Sequence, residues 1–235
     1  MPITADAMAA AAQHIARLAA SRGTSAATAS ARAHSAARHP VRLLAKPRSA
    51  RPSAFAADEI GAAGDEEVNL KDVTRKLVDC RKRKAASNAV DLLVSLGRAG
   101  IEPDLLASTT CLGACVAAGK MDLALKVFEE VFDKRVVEPD EVVFTELIRG
   151  YLASSPPSWT RAMNTLDRME AFDVTPGALS YNILLAKCAD DNELERAEDI
   201  VDRMADEGVE PDRFTMEAVK KRRSIRSYAK KVLVM

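Results

Sequence analysis

The residues able to carry chemistry in this chain are few and unevenly placed. All three histidines, His14, His34 and His39, lie within residues 1–57, so neither a histidine base nor an imidazole zinc site can be assembled from the rest of the chain. Cys80, Cys111, Cys115 and Cys188 form no CxxC pair and no spacing of a disulfide framework, which suits a reducing compartment. Cys111 and Cys115 are one helical turn apart, and two thiols alone do not hold a metal. The acid-rich stretch DDNELERAEDIVDRMADE lacks the alternating ligands and central glycine of a calcium loop, and reads as the solvated face of a helix. Neither GxxxxGK[ST] nor GxGxxG occurs, so no phosphate-cradling loop is expected. No metal, no cofactor and no enzymatic activity are predicted. No run of 18 apolar residues is present, and no membrane span is expected.

Charge divides the chain into unlike segments. The 34 Lys and Arg balance 34 Asp and Glu, yet residues 1–57 hold eight basic residues against the single acid Asp6. This leader is rich in Ala, Arg and Ser, which is the composition of an organellar transit peptide rather than of a secretory signal. Cleavage is expected between Val41 and Ala57, and the Ser/Thr-containing stretch from Ser21 to Ser35 favours a plastid over a mitochondrion. Residues 58–69 read as a linker. Between Ala85 and Val219 there are 12 basic and 26 acidic residues. Basic residues gather on either side, at Lys71, Arg75, Lys76, Arg81, Lys82, Arg83 and Lys84, and again at Lys220, Lys221, Arg222, Arg223, Arg226, Lys230 and Lys231.

The elements that must position these residues follow from a repeat. Prolines recur at Pro103, Pro139, Pro176 and Pro211, in the settings GIEPD, VVEPD, DVTPG and GVEPD, at separations of 36, 37 and 35 residues. Such a period signals stacked supersecondary units, here 70–104, 105–140, 141–177 and 178–212, the second carrying one extra residue and the third two, at SSPPSWT. An alanine stands at the twentieth position of every unit, Ala89, Ala124, Ala162 and Ala197. Four residues on come Leu93, Phe128, Leu166 and Val201, and seven on come Leu96, Val131, Met169 and Met204, which places all three on one helical face. Each unit therefore reads as helix A, a turn, helix B and a Pro-ended link. Neither helix can bury its apolar stripe alone, so the predicted fold is an all-α solenoid of stacked helix-turn-helix units. Residues 213–235 are predicted to hold a fifth helix A, FTMEAVKKRRS, without its helix B, and to form either a partial fifth repeat or a capping helix with a basic tail. Cys80, Cys115 and Cys188 share the eleventh position, a recurrence that packing produces. Trp159 is expected to cover the turn of the third unit hydrophobically rather than to stack on a base.

These units resemble the pentatricopeptide repeat. The resemblance is strongest in ALSYNILLAKCADDNELERAEDIVDRMADEGVEPD, with its SYN opening, the Leu-x-x-Ala of helix B and the Gly-Val-x-Pro-Asp ending. The tetratricopeptide repeat, also a helical hairpin, has a period of 34 and a Trp, Leu-Gly and Tyr pattern that is missing here. The resemblance implies binding of single-stranded RNA at one base per unit, read by the fifth residue of helix A and the last residue of the unit. By position these are Thr74 with Asp104, Thr109 with Asp140, Thr145 with Gly177, and Asn182 with Asp212. It further implies guanine for Thr with Asp and uracil for Asn with Asp; Thr145 with Gly177 lacks the carboxylate. The second position, which wedges the base in this family, holds Leu106, Val142 and Leu179 but Lys71 in the first unit. The expected role is an organellar RNA-binding factor in transcript processing, stability or translation. The other reading is a protein-binding adaptor or subunit of an organellar ribosome or other complex, contacted through the acidic middle. Enzymes of the family carry a further editing or nuclease domain, and the residues after Val219 are too few for one.

Overall fold

The computed structural model describes residues 69–233, so the transit-peptide reading of residues 1–57 and nearly all of the linker lie outside the described residues. Among the described residues every regular element is helical. The first hairpin is α1 (Leu70–Arg83) and α2 (Ala86–Arg98), and the second is α3 (Leu105–Ala117) and α4 (Met121–Phe128). The third pairs α5 (Glu141–Ala153) with α6 (Trp159–Glu170), and the fourth pairs α7 (Ala178–Asp191) with α8 (Leu194–Asp206). Two further helices follow, α9 (Arg213–Ala218) and α10 (Arg223–Val232).

Local chemistry dictates where the first helix of each hairpin begins. Each is preceded by a residue in extended backbone, Asn69, Asp104, Asp140, Gly177 or Asp212. The prolines before the last four of these cannot continue a helix, and an Asn or Asp side chain satisfies N–H groups that the first turn leaves unpaired. At the opposite ends the chain turns through left-handed conformations. Gly100 and Gly208 adopt φ of 69° and 66° directly after α2 and α8, where a side chain would be strained.

Stacking then buries what each hairpin leaves exposed. The A helices α1, α3, α5, α7 and α9 pack in succession to form one layer, and each B helix lies against its own A helix. The four alanines of the twentieth position are completely buried, and the large side chains one and two turns further along are buried too, among them Phe128, Leu166 and Met204. A small residue at the closest approach lets neighbouring helices pack tightly, and each large side chain so buried contributes roughly 1.5–3 kcal/mol. On the B-helix surface, acid-to-partner contacts recur from hairpin to hairpin: Arg168 to Asp133 at 2.5 Å, Arg203 to Asp167 at 2.7 Å and Tyr228 to Asp202 at 2.8 Å. Being exposed, they set register more than they stabilise.

The inserted residues are absorbed in two different ways. In the second hairpin α4 widens after Phe128 into a π-helical turn, Glu129–Asp133, which accommodates one extra residue while Val131 and Phe132 stay buried. In the third the extra residues lengthen the link between α5 and α6, pinned by the Ser154 hydroxyl, which donates to Tyr151 O at 2.6 Å. Four of the chain's six phenylalanines, Phe128, Phe132, Phe144 and Phe172, cluster where these two hairpins meet, with centroids 5.4–5.9 Å apart. Trp159 opens α6 and packs against the core, its ring covered by the Arg196 guanidinium at 4.5 Å.

The segment after Val219 departs from the sequence expectation. FTMEAVKKRRS is not one helix: α9 stops at Ala218, and a second helix, α10, does form and packs on α8. Ile225 and Ala229, one turn apart, and then Leu233 give it a buried face, and the Arg222 guanidinium secures the turn by donating to Ala189 O at 2.7 Å.

Candidate nucleic-acid interface

The last residue of one unit is the N-cap of the next A helix, and this gives the proposed base-reading carboxylates a second duty. Asp104 accepts from Ala107 N at 2.7 Å, and Asp140 from Val143 N at 3.1 Å. Asp212 accepts from both Phe214 N and Thr215 N at 2.9 Å, while its own N–H donates to the Thr215 hydroxyl at 3.0 Å, closing a reciprocal capping box. These bonds tie the position of each carboxylate to the helix it caps.

The fifth residues sit on the same edge of the A-helix layer, and their hydrogen-bonding states differ. Each threonine hydroxyl gives its proton to the main chain one turn back: Thr74 to Leu70 O at 2.8 Å, Thr109 to Leu105 O at 2.6 Å and Thr145 to Val142 O at 2.8 Å. Their oxygens are left as acceptors. Asn182 alone reaches its partner, its Nδ2 donating to Asp212 Oδ1 at 2.9 Å. Asn182 is 8% exposed and its Oδ1 has no hydrogen-bond partner among the described residues. An unsatisfied buried acceptor is costly and demands an explanation. Burial alone would raise the Asp212 pKa, but hydrogen bonds from Asn182, Thr215 and Phe214 outweigh it and hold the carboxyl below its ordinary value.

Above this pair lies an open groove of about 470 Å³, whose lining includes Leu179, Asn182, Asp212, Phe214, Arg149 and Lys221. Leu106, Val142, Leu179 and Phe214, the second residues of four successive A helices, are the exposed large apolar side chains of that edge, with Phe214 52% exposed. Exposed apolar groups spaced by one unit and alternating with hydrogen-bonding pairs can take flat rings between them. In the first unit Lys71 interrupts the row.

The sequence of the chain matches, over residues 106–221, the family described as pentatricopeptide repeat-containing protein. These residues belong to the pentatricopeptide repeat family. Two chloroplastic pentatricopeptide repeat-containing proteins of Arabidopsis thaliana are similar to it. One is 28% identical over 113 residues, which make up 47% of this chain and 14% of the relative. The other is 25% identical over 148 residues, 60% of this chain and 17% of the relative. The chain thus spans about a sixth of the length of these relatives. Among solved structures, the pentatricopeptide repeat protein PPR10 of maize in complex with an 18-nt psaJ RNA element superposes with a TM-score of 0.57 at 18% identity, covering 70% of this chain and 26% of PPR10. The pentatricopeptide repeat domain of Arabidopsis thaliana protein-only RNase P 1 in complex with tRNA gives 0.52 at 19% identity, covering 70% of this chain and 88% of that domain. At these identities the likeness is one of fold.

Within this pentatricopeptide array the basic clusters are only partly available to a ligand. Arg81 is spent on Glu146 at 2.7 Å and Arg222 on Ala189 O, so both are structural. Lys221 pairs with Asp190 at 2.5 Å, and Lys220 with Glu217. Phe214 and Arg149 escaped the sequence reading. Phe214 was detectable by extending the second-position register into the segment after Asp212, whereas nothing local marks Arg149. The shared eleventh position is a packing site: Cys115 and Cys188 are buried, Cys80 is half-buried, and burial pushes the Cys188 thiol up to about 12. Among the described residues no group of three His, Cys, Asp or Glu could hold a metal ion, and no helix is long and apolar enough to cross a membrane.

Proposed function

We propose that this pentatricopeptide protein binds single-stranded RNA along the edge of its A-helix layer, and that it acts in a plastid as a non-catalytic factor in transcript processing, stability or translation. The observation that carries the proposal is Asn182, buried under an open groove with an unpartnered acceptor, its amide oriented by Asp212 and flanked by Leu179 and Phe214. Uracil fits this arrangement. Its N3–H can donate to Asn182 Oδ1, and its carbonyls can accept the remaining amide hydrogen. Leu179 and Phe214 offer the ring apolar contact on both sides, a type of contribution worth about 1–3 kcal/mol per base. The relatives solved with RNA support the ligand class, and the chloroplastic relatives support the compartment.

The acid excess between Ala85 and Val219 favours a second reading, an adaptor that contacts protein partners in an organellar complex. Fluorescence anisotropy with short single-stranded RNAs separates the two. RNA readout predicts affinity that falls steeply with salt, with a preference for uracil over cytosine that weakens or reverses in Asp212→Asn. An adaptor retains no RNA even at low salt, and that result would overturn the proposal.

A further inference from the structure

The α7 helix begins at the one unit boundary whose cap residue, Gly177, has no side chain, and yet its first turn is satisfied. Glu141, the first residue of α5, reaches across the third unit. Its Oε1 accepts from Gly177 N at 2.9 Å, Ser180 N at 3.0 Å and the Ser180 hydroxyl at 2.8 Å. Ser180 N is the third amide of its helix, as are Ala107 N, Val143 N and Thr215 N, which Asp104, Asp140 and Asp212 take at the other boundaries. Glu141 also fills the same space. A Cβ placed on Gly177 would lie 2.9 Å from Glu141 Oε2 and 3.1 Å from Oε1, so this carboxylate stands where the side chain of a boundary aspartate would begin.

We infer that Glu141 supplies the third unit with the carboxylate its own last position lacks, and that Glu141 and Thr145 together make this unit select guanine; the inference rests on the RNA-binding reading above. Thr145 has given its proton to Val142 O and can only accept. Glu141 uses Oε1 for the cap and keeps Oε2 as a second acceptor. The two residues are one turn apart on the same face of α5. Two acceptors presented from one helix face are matched by two adjacent donors. Of the four bases only guanine, with N1–H and N2–H2, offers these on its Watson-Crick edge. The missing aspartate therefore does not leave a gap in readout: the same chemistry comes from the other end of the unit, and the glycine is what leaves room for it.

The test uses the full chain and oligoadenylates carrying G-N-U or, for the opposite polarity, U-N-G, with N each of the four bases. Wild type is expected to bind the N = G member about tenfold more tightly than the others, the scale of one bidentate contact. Glu141→Gln keeps an amide oxygen for the cap but replaces one acceptor with a donor, and should erase that preference. The double variant Glu141→Ala with Gly177→Asp puts a carboxylate back from the boundary itself and should restore it, which a merely structural role for Glu141 would not require. Thermal unfolding identifies any variant that fails to fold, and the double variant then carries the test alone. Wild type that discriminates uracil from cytosine opposite Asn182 but is indifferent to N overturns the inference and leaves RNA binding standing. A guanine preference unchanged in Glu141→Gln overturns it too, and failure to bind any of the RNAs overturns both.

Discussion

Arg81 and Glu146 meet at 2.7 Å although they belong to α1 and α5, two A helices separated by α3. Stacked repeats are held mainly by contacts between nearest neighbours, and this pair reaches past one. It can do so because Gly113 of α3 lies beneath the guanidinium: a Cβ there would come within 2.9 Å of Arg81 Nη1. The Glu146 side chain is only 4% exposed, and its one other cation among the described residues, Arg149, stands at 3.4 Å.

Removing Arg81 should therefore cost stability out of proportion to a surface ion pair. Arg81→Ala leaves a buried carboxylate with a single weak partner. Because the arginine is partly solvated and Arg149 remains, the expected loss is about 1–3 kcal/mol, below that of a fully buried pair. Urea unfolding at neutral pH measures it. A loss under about 0.5 kcal/mol, the scale of an ordinary surface substitution, would show that the pair does not join the three hairpins energetically.

Phe214 should behave in the opposite way. Its ring is half exposed and contributes little to the core, so Phe214→Ala should shift unfolding by no more than about 0.5 kcal/mol. Affinity for a uracil-containing RNA should nonetheless fall by about 1–3 kcal/mol, the scale of one lost stacking contact. Anisotropy titrations beside thermal melts separate the two effects, and equal RNA affinity in both proteins would remove Phe214 from the interface.

Asp212 links the groove to pH. Its folded pKa is depressed, so its contribution to capping α9 is complete above the ordinary aspartate range and is lost as pH falls through the lower, folded value. The amide resonances of Phe214 and Thr215 and the side-chain amide of Asn182 should titrate together, with a midpoint below that of an unpaired aspartate. A midpoint at or above the ordinary value would mean that these hydrogen bonds do not outweigh burial.

The cysteines should divide by depth. Burial pushes the Cys188 thiol up to about 12, and Cys111 is held well above its usual value by its hydrogen bond with Cys115 and by burial. At pH 8 an alkylating reagent should modify the half-buried Cys80 first and leave Cys111 and Cys188 intact until the protein unfolds. Mass spectrometry of partly labelled protein reads the order, and early modification of Cys188 would contradict its packing role.

The hairpin array was legible in the sequence because its causes are local and repeated. Proline cannot continue a helix, an aspartate caps the turn that follows it, and Ala89, Leu93 and Leu96 share a face through helical geometry alone. What the tertiary structure decided depends on the distance between hairpins, which no local pattern encodes. The extra residue of the second unit could have lengthened a loop; the packing of Val131 and Phe132 held it inside a helix as a π turn. The stretch from Phe214 to Ser224 reads as one helix, and only docking on α8 gives Ile225 and Ala229 a reason to turn back as α10. Gly177 reads as a unit deprived of its carboxylate, because the residue that replaces it, Glu141, lies 36 positions away and is brought there by the fold of its own hairpin. Side-chain chemistry over short spans fixes helices; the pairing of groups across hairpins waits for the stack to form.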